Sequence, residues 1–354
     1  MPLLTQDPGN LQQRYDAAIQ SKPQLRIRDH AKNLGVGEAA LVALDCKKGG
    51  TIRLKPDFHD LLIDLGNLGE VMALTRNDHA VHEKTGKYEN ISVHHSQGLV
   101  LGDEIDLRLF LNMWAHAFFV REDTKMGVRN SLQIFNKAGA AVHKIYMKPE
   151  SSQEGWRILK EKYMDTDQSQ EQPLEEMQMQ DAATSENAHI DRDAFRSAWA
   201  DMKDTHEFFG LLKKFNLARI PALRLAGKDF ARQTPLTAVT TVFEMAVDQA
   251  LPIMVFVGNS GAIQIHTGEI HKLVTTGPWF NILDSRFNLH LRTDAITECW
   301  VVRKPTSDGI VTSLEFFDDR GDVVAMLFGK RKPGHPELEK WRSIIDSLEV
   351  KRAA

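Results

Sequence analysis

The sequence predicts an α+β protein made by tandem duplication of one domain, with helices packed at the ends of a large antiparallel β-sheet. Three observations carry this. The chain matches itself at a constant shift that lays Asn77 on Asn259, Ala80 on Ala262, Thr85 on Thr267 and Gly86 on Gly268. The same shift, without a gap, lays Leu107 on Leu289, Leu109 on Leu291, Arg121 on Arg303, Ser131-Leu132 on Ser313-Leu314, Phe135 on Phe317 and Val142 on Val324. Helical periodicity sits at the two ends of each copy, and short apolar or alternating runs lie between. Finally, the turn tetrads at 136–139 and 318–321 both end on a glycine, which supplies the positive φ of a hairpin turn. The period is far too long for a solenoid.

Taken in order, copy one opens with helical segments at 10–21 and 25–44. Strand-like runs follow at 71–75, 98–101, 106–111 and 115–121, and a last helix at 155–164 closes the copy. Copy two repeats the plan with helices at 193–216 and 221–226. Its strands are 253–257, 297–303, 312–317 and 323–328, and its closing helix is 336–348. Trp156 and Trp341 begin comparable positions in the closing helices. Residues 165–191 lack Lys and Arg and mix Asp and Glu with Gln, Ser, Met and Thr. Such a segment buries too little apolar surface to offset its ordering entropy and predicts a mobile acidic linker. The expected organisation is a first repeat over 1–164, the linker over 165–191 and a second repeat over 192–354.

Composition bounds the function. The 354 residues are 42% hydrophobic and 26% charged, ordinary for a globular chain with room for about two domains. The formal net charge of −4 disfavours a broadly basic nucleic-acid surface. No run is long and apolar enough for a membrane helix, so no stable membrane insertion is expected. The first residues lack the basic start and apolar core of a secretory leader. Two cysteines, Cys46 and Cys299, make no disulfide framework or Cys-rich metal knuckle, and a reducing cytoplasm is the simplest compartment.

Three segments could carry chemistry. Residues 25–44 have the shape of a helix-turn-helix with Gly35 at the turn, yet 37–44 offers only Glu38 as a polar group, so a structural helical pair is the stronger reading. His79, His82, His94 and His95 lie close together with Glu83 available, and zinc takes such ligands. The spacing lacks a helical His-x-x-x-His face, and hydrogen-bonded or surface histidines are the common alternative. Last, Phe195, Trp199, Met202, His206 and Phe209 fall at helical spacing on one face of 193–216. One imidazole in an aromatic stripe suits a flat apolar ligand with a metal at its centre, as haem iron is commonly held by a proximal histidine. A hydrogen-bonded core histidine has the same pattern.

Longer motifs add to these. Asp204-Thr205-His206-Glu207-Phe208-Phe209 runs on into Leu211-Leu212-Lys213-Lys214-Phe215-Asn216-Leu217-Ala218-Arg219. With Gly69-Glu70-Val71-Met72-Ala73-Leu74-Thr75-Arg76-Asn77, Asp106-Leu107-Arg108-Leu109-Phe110, Trp300-Val301-Val302-Arg303-Lys304-Pro305 and Phe328-Gly329-Lys330-Arg331, this resembles the HemS/ChuS/HmuS/PhuS family of bacterial cytoplasmic haem-handling proteins over nearly the whole chain. The resemblance implies one haem (iron protoporphyrin IX) bound by a duplicated α+β protein. It implies His206 as the proximal iron ligand, and Arg108 on the distal side with Phe110 beside it. Arg108 would be the catalytic residue if the protein is an enzyme. Arg219, Lys304 and Arg331 would hold the propionates, in keeping with the affinity of Arg and Lys for carboxylates. The family often has Tyr where this chain has Phe328, and some members carry a second histidine where it has Glu207. His82 matches a position that some relatives use as a secondary ligand. At the repeat shift Arg108 meets His290, His82 meets Gln264 and Arg331 meets Pro149, so framework residues repeat while site residues do not, and a single site is expected.

Two functions follow from the resemblance. One is a carrier in haem uptake and iron acquisition, monomeric or homodimeric, that receives imported haem and delivers it for degradation. Its partners would be a cytoplasmic haem oxygenase or the inner-membrane haem importer. The other is a haem-degrading, oxygenase-like enzyme that uses an external electron donor. A DNA-binding helix-turn-helix protein is the remote alternative.

Overall fold

The computed structural model describes residues 3–4, 7–125, 127–176, 190–331 and 334–348. Helices and two nine-stranded antiparallel sheets make up the fold, with a short pairing of Leu3–Leu4 to Leu174–Glu175. The described chain divides into two units. The first gathers residues within 1–76, 83–178 and 258–264, and the second those within 77–82, 179–257 and 265–354. Each unit thus includes a short segment from the other copy of the repeat.

The first unit begins with helices α1 (Pro8–Ser21), α2 (Ile27–Leu34) and α3 (Glu38–Ala43). Asp7 caps α1 by accepting from the Gly9 N–H, and Pro8 occupies its first turn, where no donor is lost. Gly35 ends α2 at φ 67°, a left-handed position that suits glycine. Every residue of α3 is buried, against Phe118, Phe135 and Leu174. A groove-reading helix needs an exposed polar face, so the helix-turn-helix shape here is a packed helical pair. Helices α4 (Phe58–Asp64) and α5 (Gln153–Tyr163) cover a second core. It contains Leu61, Leu65, Val71, Leu107, Leu109, Leu132 and Ile145. The main ladder runs Gly69–Arg76, Ala141–Ser151, Gly127–Phe135, His116–Thr124 and Thr51–Arg53, each antiparallel to the next. Ile91–His94, Gln97–Leu101 and Asp106–Phe110 form a meander.

The second unit repeats the plan. Its helices are α6 (Arg192–Ala200), α7 (Glu207–Lys214), α8 (Arg219–Ala226), α9 (Ala238–Asp248) and α10 (Glu339–Ser347). The ladder runs Ala231–Thr234, Glu298–Thr306, Gly309–Phe317, Val323–Gly329 and Ile253–Gly258. The meander is Leu273–Thr276, Trp279–Leu283 and Phe287–Arg292. Val242, Phe243, Val255, Leu289, Leu291, Leu314, Leu327 and Trp341 fill the core.

Two expectations change. The single helix over 193–216 is two helices, because the chain turns at 201–206, where the Asp204 and Glu207 carboxylates take the backbone donors of His206 and Lys203. The acidic segment is not a mobile linker from its first residue. Gln168 accepts from the Arg53 N–H at 2.9 Å, and Arg53 donates to the carbonyls of Ser169 and Glu171 at 2.8 and 2.7 Å. These bonds satisfy the backbone that the composition leaves without a core; residues 177–189 lie outside the described part. Among the described residues, no helix is long and apolar enough to cross a membrane.

Candidate functional site

The turn between α6 and α7 positions His206. Asp191 caps α6, and Phe195, Trp199 and Met202 point inward, with Trp199 Nε1 donating to the Arg303 carbonyl at 3.0 Å. Beyond Met202 one carboxylate oxygen, Asp204 Oδ1, accepts from the His206 backbone N–H at 2.8 Å and lies 2.6 Å from His206 Nδ1. Glu207 Oε2 reaches back to the Lys203 N–H at 3.1 Å. The periodicity that put His206 in the buried stripe therefore fails at the turn: its side chain is 91% exposed. Phe209 lies one turn further along and is 77% exposed, while Phe208 between them is buried. An imidazole and a phenyl ring stand open on one face. The Asp204 carboxyl sits below its ordinary range, held first by the His206 N–H, then by the His206 ring and the charge of Arg331.

Behind this face lies a compact ionic cluster. Glu315 is fully buried. Arg219 grips it with two bonds of 2.7 and 2.8 Å, Lys304 Nζ donates at 3.0 Å and Ser313 Oγ at 2.8 Å. Burial alone would push the Glu315 carboxyl up, but Arg219 and Lys304 outweigh it and hold the group ionised far below the usual carboxylate range. Both cations also rest on the Phe208 ring, 4.9 and 4.7 Å from its centroid, which ties them to α7. Two positive charges share one carboxylate, so the cluster carries a net positive charge. Arg219 keeps some exposure and Lys304 almost none. Arg331 Nη2 lies 3.7 Å from Asp308.

Arg219 also approaches Met326 Sδ at 3.4 Å. Met326 pairs across the sheet with Phe256, and Phe328 with Met254. The Phe256 and Phe328 rings are 5.0 Å apart. All four side chains are half-buried, giving an apolar strip beside the cationic cluster. The second unit thus brings together His206, Arg219, Lys304, Phe328 and Arg331. Met254, Phe256, Met326 and Glu315 lie outside the quoted motifs, and Asp204 opens the His206 motif without a role assigned to it there. The one available signal was Glu315, a charge in the run Thr312-Ser313-Leu314-Glu315-Phe316-Phe317 that otherwise reads as a buried strand.

Arg108 and Phe110 belong to the first unit. They share the half-buried face of Asp106–Phe110, with Leu107 and Leu109 buried on the other, as alternation predicts. Arg108 is bonded to the Asp106 carboxylate and to the Leu107 carbonyl. His82 is fully buried against Phe287, at 4.9 Å between ring centroids, and His266 stacks on that ring at 3.9 Å. Binding iron through His82 would require it to leave the core. His94 and His95 are exposed, and no group of three or more potential metal ligands exists among the described residues.

The model of the haemin-degrading HemS.ChuX domain matches the chain twice, over residues 35–163 and 216–348. The hemin transport protein HmuS of Yersinia pestis is 41% identical over 347 residues, 96% of this chain and 97% of the relative. Among solved structures, holo-PhuS, a heme-binding protein from Pseudomonas aeruginosa, is 44% identical with a TM-score of 0.93, covering 98% of this chain and 100% of that one. ChuS, an E. coli heme oxygenase, is 37% identical with a TM-score of 0.86, covering 95% and 99%.

Proposed function

The chain belongs to the haemin-degrading HemS.ChuX domain family, and from that premise we propose that it binds haem as cargo, with the His206 imidazole on the iron. The observation that carries the reading is the open pair of His206 and Phe209, set against the positive cluster of Arg219, Lys304 and Glu315. A planar iron ligand needs a neutral nitrogen, an apolar surface and cations for its carboxylates, and one unit supplies all three. Arg219 and Arg331 act on the propionates. Lys304, buried on Glu315, adds charge from behind. Phe328 lends apolar surface. Arg108 and Phe110 take the distal role that the resemblance implies, and His82 is at most a secondary ligand.

Between the two activities, carriage comes first. The ligand stands outside the core, so haem can be taken and released without opening packed structure, and the curated relative is named for transport. Delivery would be to a haem-degrading enzyme in the cytoplasm. Degradation by this chain itself is the second reading, favoured by its likeness to ChuS. The purified haem complex, given ascorbate or a reductase under air with catalase present, separates the two. Stoichiometric tetrapyrrole product would establish the enzyme. Intact haem, passed on to an apo-acceptor such as apomyoglobin, would support the carrier. Catalase removes free peroxide, which degrades haem unaided.

A further inference from the structure

We propose that Asp204 is the positioning residue of the His206 ligand: its carboxylate fixes the imidazole with the proton on Nδ1 and the lone pair on Nε2, and its charge biases bound haem toward the ferric state. This rests on the reading of His206 as the iron ligand. The geometry on the page is specific. One oxygen, Oδ1, serves both the backbone N–H of His206 and its Nδ1, at 2.8 and 2.6 Å. The ring therefore cannot turn away without parting from an oxygen that the backbone holds in place. The turn is closed a second time by Glu207 on the Lys203 N–H and by the Glu207 N–H on the Asp204 carbonyl at 3.1 Å. Helix α7 then begins, so ligand and carboxylate stand on one short rigid turn.

The chemistry follows from the hydrogen bond. Neutral imidazole carries its proton on one nitrogen, and an acceptor at Nδ1 decides which. A carboxylate acceptor also draws the Nδ1 proton toward itself and makes Nε2 a stronger donor, which stabilises the more highly charged metal ion. Both groups are exposed without ligand, so the pair contributes little to the fold. Its effect is on the bound iron.

The test uses the full-length haem complex and the variants D204N, D204A and D204E. D204N keeps shape and the acceptor for the His206 N–H, and removes only the charge. Far-UV circular dichroism reports the fold. The readouts are the iron–histidine stretching band of the ferrous complex and the ferric/ferrous midpoint potential. We expect D204N to lower the stretching frequency and to reduce the ratio of ferric to ferrous haem affinity about tenfold, the low end of outer-shell effects, which raises the potential by about 59 mV for one electron. D204A should do at least as much, and D204E should recover part. If D204N and D204A both leave band and potential at the parent values, Asp204 has no such role. His206→Ala tests the underlying reading by itself. An unchanged Soret spectrum in that variant removes His206 as the ligand. A His206-dependent spectrum with an indifferent D204N removes only the inference about Asp204.

Discussion

Glu315 shows how one side chain organises a site. A carboxylate with no solvent contact is stable only because Arg219 and Lys304 both bond to it. Removing one cation leaves the charge undercompensated. Lys304→Met should therefore cost about 3 kcal/mol in urea unfolding. The double variant with Glu315→Gln should recover part of that, because the buried charge is gone as well. A Lys304→Met protein as stable as its parent would show that Arg219 alone suffices. In the first unit His143 gives a pH signature. It is buried between Tyr88 Oη, 2.5 Å from Nε2, and Thr75 Oγ1, 2.8 Å from Nδ1. Burial pushes its pKa down from 6.5 to about 3. The unfolded chain then binds a proton below pH 6.5 that the folded one refuses, so stability falls as the pH drops through that value toward 3. Between pH 7 and 5 this group should account for about 2 kcal/mol of lost stability. His143→Gln, less stable at pH 7, should show a correspondingly flatter profile over that interval. Parallel profiles for parent and variant would rule the histidine out as the source.

At the scale of elements, what the sequence exposes depends on whether periodicity and local chemistry agree. They agree in Asp106–Phe110, where alternation sorted Leu107 and Leu109 from Arg108 and Phe110 without error. They disagree around His206. Positions 195, 199, 202, 206 and 209 keep helical spacing through a segment that is not helical, because Asp204 offers the backbone a better partner than the helix does. The ligand candidate was legible and its surroundings were not: a core stripe was expected and an exposed pair is found. Helix α9 was missed for a related reason. No expected segment covers it: its Ala238-Val239-Thr240-Thr241-Val242-Phe243 start is rich in β-branched residues, which weaken a helical signal, yet packing of Val239, Val242, Phe243 and Ala246 into the core decides the outcome. Helix α7 offers a test of its own stability. Gly210 is exposed within it, and a Cβ there would meet nothing within 4 Å. Gly210→Ala should stabilise the helix by about 0.5–1 kcal/mol. Slower amide exchange over 207–214 would show it. Unchanged or faster exchange would mean that the helix is set by its contacts alone.

At the scale of the whole molecule the duplication is most informative where its copies trade segments. Asn77, from the first copy, lies in the second unit and donates from Nδ2 to the Val324 carbonyl at 2.9 Å. Asn259, from the second copy, lies in the first unit and donates to the Val142 carbonyl at 2.8 Å. Each Oδ1 also accepts two backbone N–H groups of its own turn, from His79 and Ala80 or from Gly261 and Ala262. The next bonds repeat as well: Arg292 N–H donates to the His79 carbonyl, and Phe110 N–H to the Gly261 carbonyl. Every member of one set lies at the repeat shift from a member of the other. The matched asparagines were visible in the sequence as identities, but their partners were not, because nothing in a linear match says that a turn is satisfied by the opposite copy. The side chain is required as both donor and acceptor, so asparagine fits where aspartate does not. Asn77→Asp and Asn259→Asp keep size and acceptor and lose the donor, leaving a buried carbonyl facing a carboxylate. Each should destabilise by about 1–3 kcal/mol. The equivalence of the two environments requires that the losses match within about 1 kcal/mol, inside the usual context dependence of a hydrogen bond. Chemical denaturation of both variants, followed by tryptophan fluorescence, measures this directly. A large loss at one asparagine and none at the other would show that the exchanged turns are equivalent in geometry but not in energy.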